Sequence, residues 1–294
     1  TSNPATESGS LISAKLDKAD TIEIETSDKE TFVLKKSDNV WVLPSLYEYP
    51  ADKTKVADLI SKIQDLKSGW PVATTSDAQK RFKVMESEFE TKLSFSNDGK
   101  ALAVLYLGTS PSFKKQHVRL ADKNDIFTIG LDASDLTTEN TDWMDRNLFA
   151  LEAKDVSQFV LPQFGLKKVK DKWCLRDDSS DIAINQPVAI SFFKRVSRLQ
   201  VSTVLGVEQK PEYAMDSAPL TIGFTLQSGK TFEYKLARPE QADHYILKAS
   251  DRKFYVSIDE FYVKEILSME KGALLKQDAS KEPTSPKAQT NKTK

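Results

Sequence analysis

One cysteine in 294 residues, Cys174, leaves no partner for an internal disulfide and rules out a cysteine-rich metal site. Histidine is nearly as scarce. His117 and His244 are the only two, too few and too far apart for zinc-ligand spacings such as His-x-x-x-His. No run of about 18 apolar residues occurs, so no segment of this chain reads as a membrane-spanning helix. A surplus of either charge is missing too. With 42 basic against 43 acidic residues the net charge is -1, which offers no global field for nucleic acid or an anionic membrane. Gly229-Lys230-Thr231 resembles the end of a phosphate-binding loop, but Phe224 stands where that motif requires glycine, so the tripeptide reads as a hairpin turn.

What the chain does have is the composition of a globular protein long enough for two domains, 39% hydrophobic and 29% charged. Its ends differ from its middle. Residues 1–12 are expected to form a flexible leader, because Thr1 to Ser10 offer almost nothing to bury. Residues 271–294 read as a basic disordered tail, in which six lysines face only Asp278 and Glu282. That tail reads as solubilising rather than lipid-binding, since its lysines are spaced out and mixed with acids.

Between the ends the chain repeats itself. Leu34-Lys35-Lys36 leads to Trp41, and Leu166-Lys167-Lys168 leads to Trp173, with seven residues from leucine to tryptophan in each copy. Alternating strands precede both, Thr21 to Thr26 and Val156 to Leu161. An amphipathic helix comes next. Val56, Leu59, Ile60, Ile63 and Leu66 mark the first, with Asp52 as its cap, and Ala189, Phe192, Phe193, Val196 and Leu199 mark the second, with Asn185 as cap and Pro187 in the first turn. Hairpins follow, through Asn97-Asp98-Gly99 in one copy and Ser228-Gly229-Lys230 in the other. Two further strands end each copy, each closed by an aspartate that starts a helix, Asp132 and Asp259.

The predicted order is three strands, a helix, four strands and a helix, twice. Strands grouped in hairpins with few helices argue for α+β, as two tandem copies of a mainly antiparallel sheet with an amphipathic helix packed on it. The expected organisation is a first repeat at 13–140, a junction at 141–154 and a second repeat at 155–270.

The same residues carry a resemblance. Lys35-Lys36 followed by Trp41, a helix after Tyr49-Pro50-Ala51-Asp52, a glycine-turn hairpin, and then Trp143-Met144-Asp145-Arg146-Asn147-Leu148 occur in the order seen in the bacterial domain of unknown function 4340 family. The resemblance covers about residues 12–270. It implies an exported repeat domain behind one N-terminal membrane-spanning helix, some members being similar to auxiliary parts of ABC-type transport or gliding systems. On that footing this chain is expected at the periplasmic or extracytoplasmic face of the inner membrane. Membrane contact is expected only through an anchor absent from this chain, which opens on Thr1. The resemblance implies an envelope or membrane protein as partner and supplies no catalytic residues.

Candidate chemistry is thin. The two histidines are read as half-exposed residues opening matching strands of the repeats. Cys174 aligns with Val42 between a tryptophan and a leucine, and reads as a core residue. The carboxylates Glu86, Glu88, Glu90, Asp142, Asp145, Asp177, Asp178 and Asp181 read as solvated loop acids rather than a glycosidase pair. Trp41 and Trp173, as equivalent strand residues, are expected to be buried, while Trp70 and Trp143 are candidates for exposure. Loops concentrate binding residues, and Phe113, Lys114 and Lys115 at a hairpin tip, with Trp143 in the junction, form the candidate contact surface.

These readings converge on a non-catalytic extracytoplasmic module, normally membrane-tethered, serving a transport or surface-assembly system. It is expected not to be an enzyme, to need no cofactor or metal, and to bind no nucleic acid. The alternative is a small-molecule or glycan binder, or a hydrolase, using a groove between the repeats.

Overall fold

The structure is a computed structural model that describes residues 9–176, 184–218 and 220–275. The leader up to residue 8, the tail beyond 275 and the acids Asp177, Asp178 and Asp181 lie outside the described residues. Two compact units result. The first comprises the described residues up to Phe149 together with 200–210 and 253–258; the second takes the remainder.

In the first unit β1 (Gly9–Ser10) precedes a meander of β2 (Thr21–Thr26), β3 (Thr31–Ser37) and β4 (Val40–Leu43). The short β5 (Tyr49–Pro50) leads into α1 (Lys53–Gln64), and β6 (Lys67–Ser68) and α2 (Ser76–Arg81) follow. The second meander is β7 (Thr91–Asn97), β8 (Lys100–Leu107), β9 (Lys115–Leu120) and β10 (Ile126–Gly130), and α3 (Asn140–Trp143) comes after it. Eight of these strands form one sheet in the order β10-β9-β8-β7-β2-β3-β4-β5, all antiparallel.

The second half opens with β11 (Val156–Val160), β12 (Gly165–Val169), β13 (Lys172–Leu175) and α4 (Gln186–Val196). Next come β14 (Val201–Gly206), β15 (Leu220–Leu226), β16 (Thr231–Ala237), β17 (His244–Ala249) and β18 (Tyr255–Asp259). Two helices close it, α5 (Glu260–Leu267) and α6 (Lys271–Leu274). Its sheet runs β13-β12-β11-β15-β16-β17-β18-β14. Read from the opposite edge, seven strands repeat the first sheet one for one. The additions are β5 beside β4 in one sheet and β14 beside β18 in the other.

The turns explain why the meanders form where they do. Asp38-Asn39 and Lys170-Asp171 both adopt positive φ, and so do Asp98-Gly99. Two left-handed residues in a two-residue loop match the right-handed twist of the strands that they join. The helices start as expected. The Asp52 carboxylate accepts the amides of Thr54 and Lys55, and the Asn185 side chain accepts that of Val188. Each helix buries the face that its spacing marks out, Val56, Leu59 and Ile63 in α1 and Ala189, Phe192, Phe193 and Val196 in α4. Burying each large side chain contributes about 1.5–3 kcal/mol.

Register fixes which side chains meet. Ile22 lies opposite Leu34 on one side and Phe95 on the other, and Phe159 lies opposite Leu166 and Phe224 in the same way. Lys36 opposes Trp41 and Lys168 opposes Trp173, so the tryptophans are equivalent as expected. Their burial differs, however. Trp173 is buried against Phe159 and Phe193, whereas Trp41 is only half-buried. Cys174 is half-exposed rather than a core residue, because alternation along β13 turns it away from the face that holds Trp173 and Leu175.

Both ends of the chain carry more structure than expected. Residues 9–12 are not leader: β1 pairs with β6, the Leu11 amide donates to Leu66 O at 2.8 Å, and Leu11 and Ile12 are buried. Residues 271–275 are not tail: α6 buries Leu274, and Leu275 bridges Ile184. Apolar side chains at both places have core to cover, which the surrounding polar composition conceals.

A second apolar cluster lies on the far face of the first sheet. Ala78 on α2 and Val84 and Phe89 on the following loop cover Tyr106 and Ile126. This cover presses directly on β8. A Cβ on Gly108 would stand 1.8 Å from Phe82 O, a backbone atom that cannot swing aside. Gly108→Ala is therefore expected to lower the unfolding free energy by about 1–3 kcal/mol in urea titrations, the usual range for overpacking. An unchanged midpoint would contradict that approach.

Asp20 anchors the turn between β7 and β8. Its carboxylate accepts the Asp98 amide at 2.7 Å and the Thr21 hydroxyl at 2.9 Å, and these bonds hold its pKa below the ordinary value. A depressed folded-state pKa gives stability that is present above the unfolded value, near 3.9, and lost as pH falls through the folded one. The stability difference between wild type and Asp20→Asn should thus be full at pH 6 and shrink below about pH 4. Denaturation curves at pH 6 and pH 3 measure it.

Candidate functional site

The connection between β8 and β9 is held from several sides. Gly108 donates its amide to His117 O, Thr109 donates to Phe82 O, and His117 donates back to Thr109 O, all within 2.9–3.0 Å. The His117 ring stacks on Phe82 with centroids 4.1 Å apart. Its Nδ1 stands 2.9 Å from Thr109 O and 3.0 Å from the Thr109 hydroxyl. Nearer the tip, the Ser110 hydroxyl lies 2.8 Å from Ser112 O and 2.7 Å from Lys115 O, and the Lys115 amide closes on Ser112 O.

This framework presents Phe113 to solvent, 86% exposed. Lys114, at a φ of 55°, lays its Nζ over the Phe113 ring, 5.3 Å from the centroid, and 3.5 Å from the Asp132 carboxylate. Asp132 is itself fixed. It accepts the amide and the hydroxyl of Ser134, and those bonds, with Lys114 nearby, hold its pKa below the ordinary carboxylate value. Lys115 opens β9, exposed, opposite Gly130. Phe113, Lys114 and Lys115 thus share one end of the first sheet.

Trp143 is not part of that surface. It is completely buried, stacks on Phe32 at 5.6 Å and donates its indole N–H to Thr137 O, with Lys55 above its ring. Its place as an exposed aromatic of the first unit is taken by Trp70, 75% exposed, in the segment that runs along β10. There the Val72 amide donates to Ile126 O and the Ile126 amide to Ala73 O, which fixes the backbone beside Trp70. The signal for Trp70 was Pro71, which interrupts helix and strand alike and leaves the preceding side chain outside the packed elements.

Several of the remaining polar candidates have structural partners. His117 is buried within β9 rather than half-exposed at its start, because Phe82 covers it. Nor do the histidines match. By strand register His117 corresponds to Ile246, since Val118 faces Leu107 as Leu247 faces Leu236. His244 is half-exposed and lies 3.1 Å from Asp243. Asp142 accepts the Thr137 hydroxyl, Asp145 accepts the Asn147 amide and Glu90 pairs with Lys83. Lys230 pairs with Asp251 beside Gly229, whose φ of 85° fits the hairpin turn. Among the described residues no group of three or more His, Cys, Asp or Glu is placed to hold a metal ion.

Sequence spacing also missed a pair of structural cations. Arg119, buried on the far face, sends Nε to Val84 O and Nη1 to the carbonyls of Leu120, Ala121 and Lys123, and it packs on Tyr106. At the equivalent place Lys248 bonds Ala249 O and Arg252 O. Burial presses both pKa values down from their ordinary positions.

The arrangement can therefore offer a pinned apolar contact flanked by charge. Phe113→Ala and Trp70→Ala should each leave the unfolding free energy within about 0.5 kcal/mol of wild type, as expected for exposed side chains. A larger loss in urea titrations would mean that these rings serve the fold instead.

The family described as Domain of unknown function (DUF4340) matches residues 41–218, more than half of the chain. No curated protein and no solved structure matches it.

Proposed function

The chain belongs to the domain of unknown function 4340 family, and from that premise we propose that it is a non-catalytic, extracytoplasmic interaction module, normally tethered to the membrane, that contacts a protein of a transport or surface-assembly system. The observation that carries this reading is the Phe113 tip. Its aromatic ring is 86% exposed on a loop with bonded backbone. Aromatic rings are enriched in protein interfaces, and a contact that is already ordered loses little conformational entropy when a partner docks. Lys114 and Asp132 beside it supply the polar rim that orients such a contact.

The tether and the class of partner rest on the family resemblance, and the docking surface rests on Phe113 and Trp70. A photo-crosslinking residue at position 113 or 70 of the full-length protein, in its native membranes, tests both. Crosslinks to a transport or surface-machinery subunit, lost in Phe113→Ser with the fold intact, are the expected outcome. Full-length protein that fractionates with the cytoplasm and crosslinks to no envelope protein would sink the proposal.

A further inference from the structure

Strand register makes the two units comparable position by position. Ile22, Phe95 and Ala103 lie in a row across β2, β7 and β8, and Phe159, Phe224 and Phe232 form the matching row across β11, β15 and β16. The rows differ in their third member. Phe232 is a buried phenyl ring, 5.4 Å from Phe224 and 5.5 Å from Tyr234. Ala103 has only a methyl group there, and a strand irregularity between Phe95 and Ser96 leaves Leu102 as an extra residue opposite β7.

A cavity of about 230 Å³ opens beside that methyl group. Ile12, Ala101, Ala103 and Leu120 line it, together with Asp122 and Lys123. Its walls are fixed. Ile12 is held by the bonded backbone of Leu11, and the turn at 120–123 is fastened by the Arg119 guanidinium on the carbonyls of Leu120, Ala121 and Lys123. A void of about 150 Å³ lined by apolar side chains suffices for benzene. By volume one substituted ring fits here, in a pocket partly open to solvent and lined by polar as well as apolar atoms.

We propose that the first unit holds a binding pocket for a small molecule with a single aromatic ring, whose polar substituent meets Asp122 and Lys123. The ring occupies the position that the second unit fills with its own Phe232. The assignment is independent of the Phe113 surface, because the two sites use different residues.

Phenol is the probe. Titrated into the isotope-labelled full chain, it should shift the amide resonances of residues 101–104 and 120–123 and reach saturation. Ala103→Phe supplies the ring covalently, so phenol affinity should fall by about tenfold or more. The same variant should raise Tm by about 2–4 °C, because the void is filled. Ala103→Met, a smaller filler, gives the same competition should Ala103→Phe reduce the folded yield. Shifts that do not saturate, that scatter over the surface, or that survive in the filled variants would overturn the proposal.

Discussion

In each seven-strand repeat one long-range strand pair joins two local meanders. β2 pairs with β7 across roughly 70 residues, and β11 pairs with β15 across a similar distance. Every other neighbour in the seven-strand repeat is the next strand in sequence or lies within one hairpin of it. Loop-closure entropy grows only slowly with loop length, so a well-packed apolar pair can offset it. Ile22 with Phe95 and Phe159 with Phe224 are those pairs. Once they meet, the first meander lies on one side and the second on the other, and the helix between them has a sheet to cover.

This dependence explains how much was legible. Alternation, turn chemistry and caps are local, and they gave the strands, α1, α4 and their capping residues in the right order. Cover on the far face is not local. Along β9 the run from His117 to Leu120 is buried on both sides because α2 and the 82–90 loop fold over it, and no period-2 pattern announces that. His117 and Arg119 were misjudged or overlooked for this reason. Trp143 was misplaced by a related cause: a short loop allowed exposure, but Thr137 O and Phe32 provided both a hydrogen-bond partner and a stacking surface.

The repeat is also more exact in register than in residue type. Arg119 and Lys248 do one job, holding the carbonyls of the turn after the ninth strand and after its counterpart, with different functional groups. Alignment by tryptophans and glycines does not find them, whereas strand pairing does. The candidate contact surface follows the same logic. Phe113 was legible because a loop tip rich in Ser, Pro and Lys has nowhere to bury a ring, while the fastening of that loop depends on Phe82, 31 residues upstream.

One edge of the second sheet is closed in an unusual way. β13 is the last strand, and among the described residues no further strand covers it as β5 covers β4. Instead the Gln186 amide accepts from Trp173 N–H at 3.0 Å and donates to Trp173 O at 2.7 Å, imitating one rung of a missing neighbour. Open edges recruit other chains, and proteins commonly defend them with charge, proline or a bulge. Here a neutral side chain at the start of α4 occupies the rung. The hydrogen-bonding groups of Trp173 at this edge are thus satisfied by a helix residue, so the closure of the edge depends on where α4 begins.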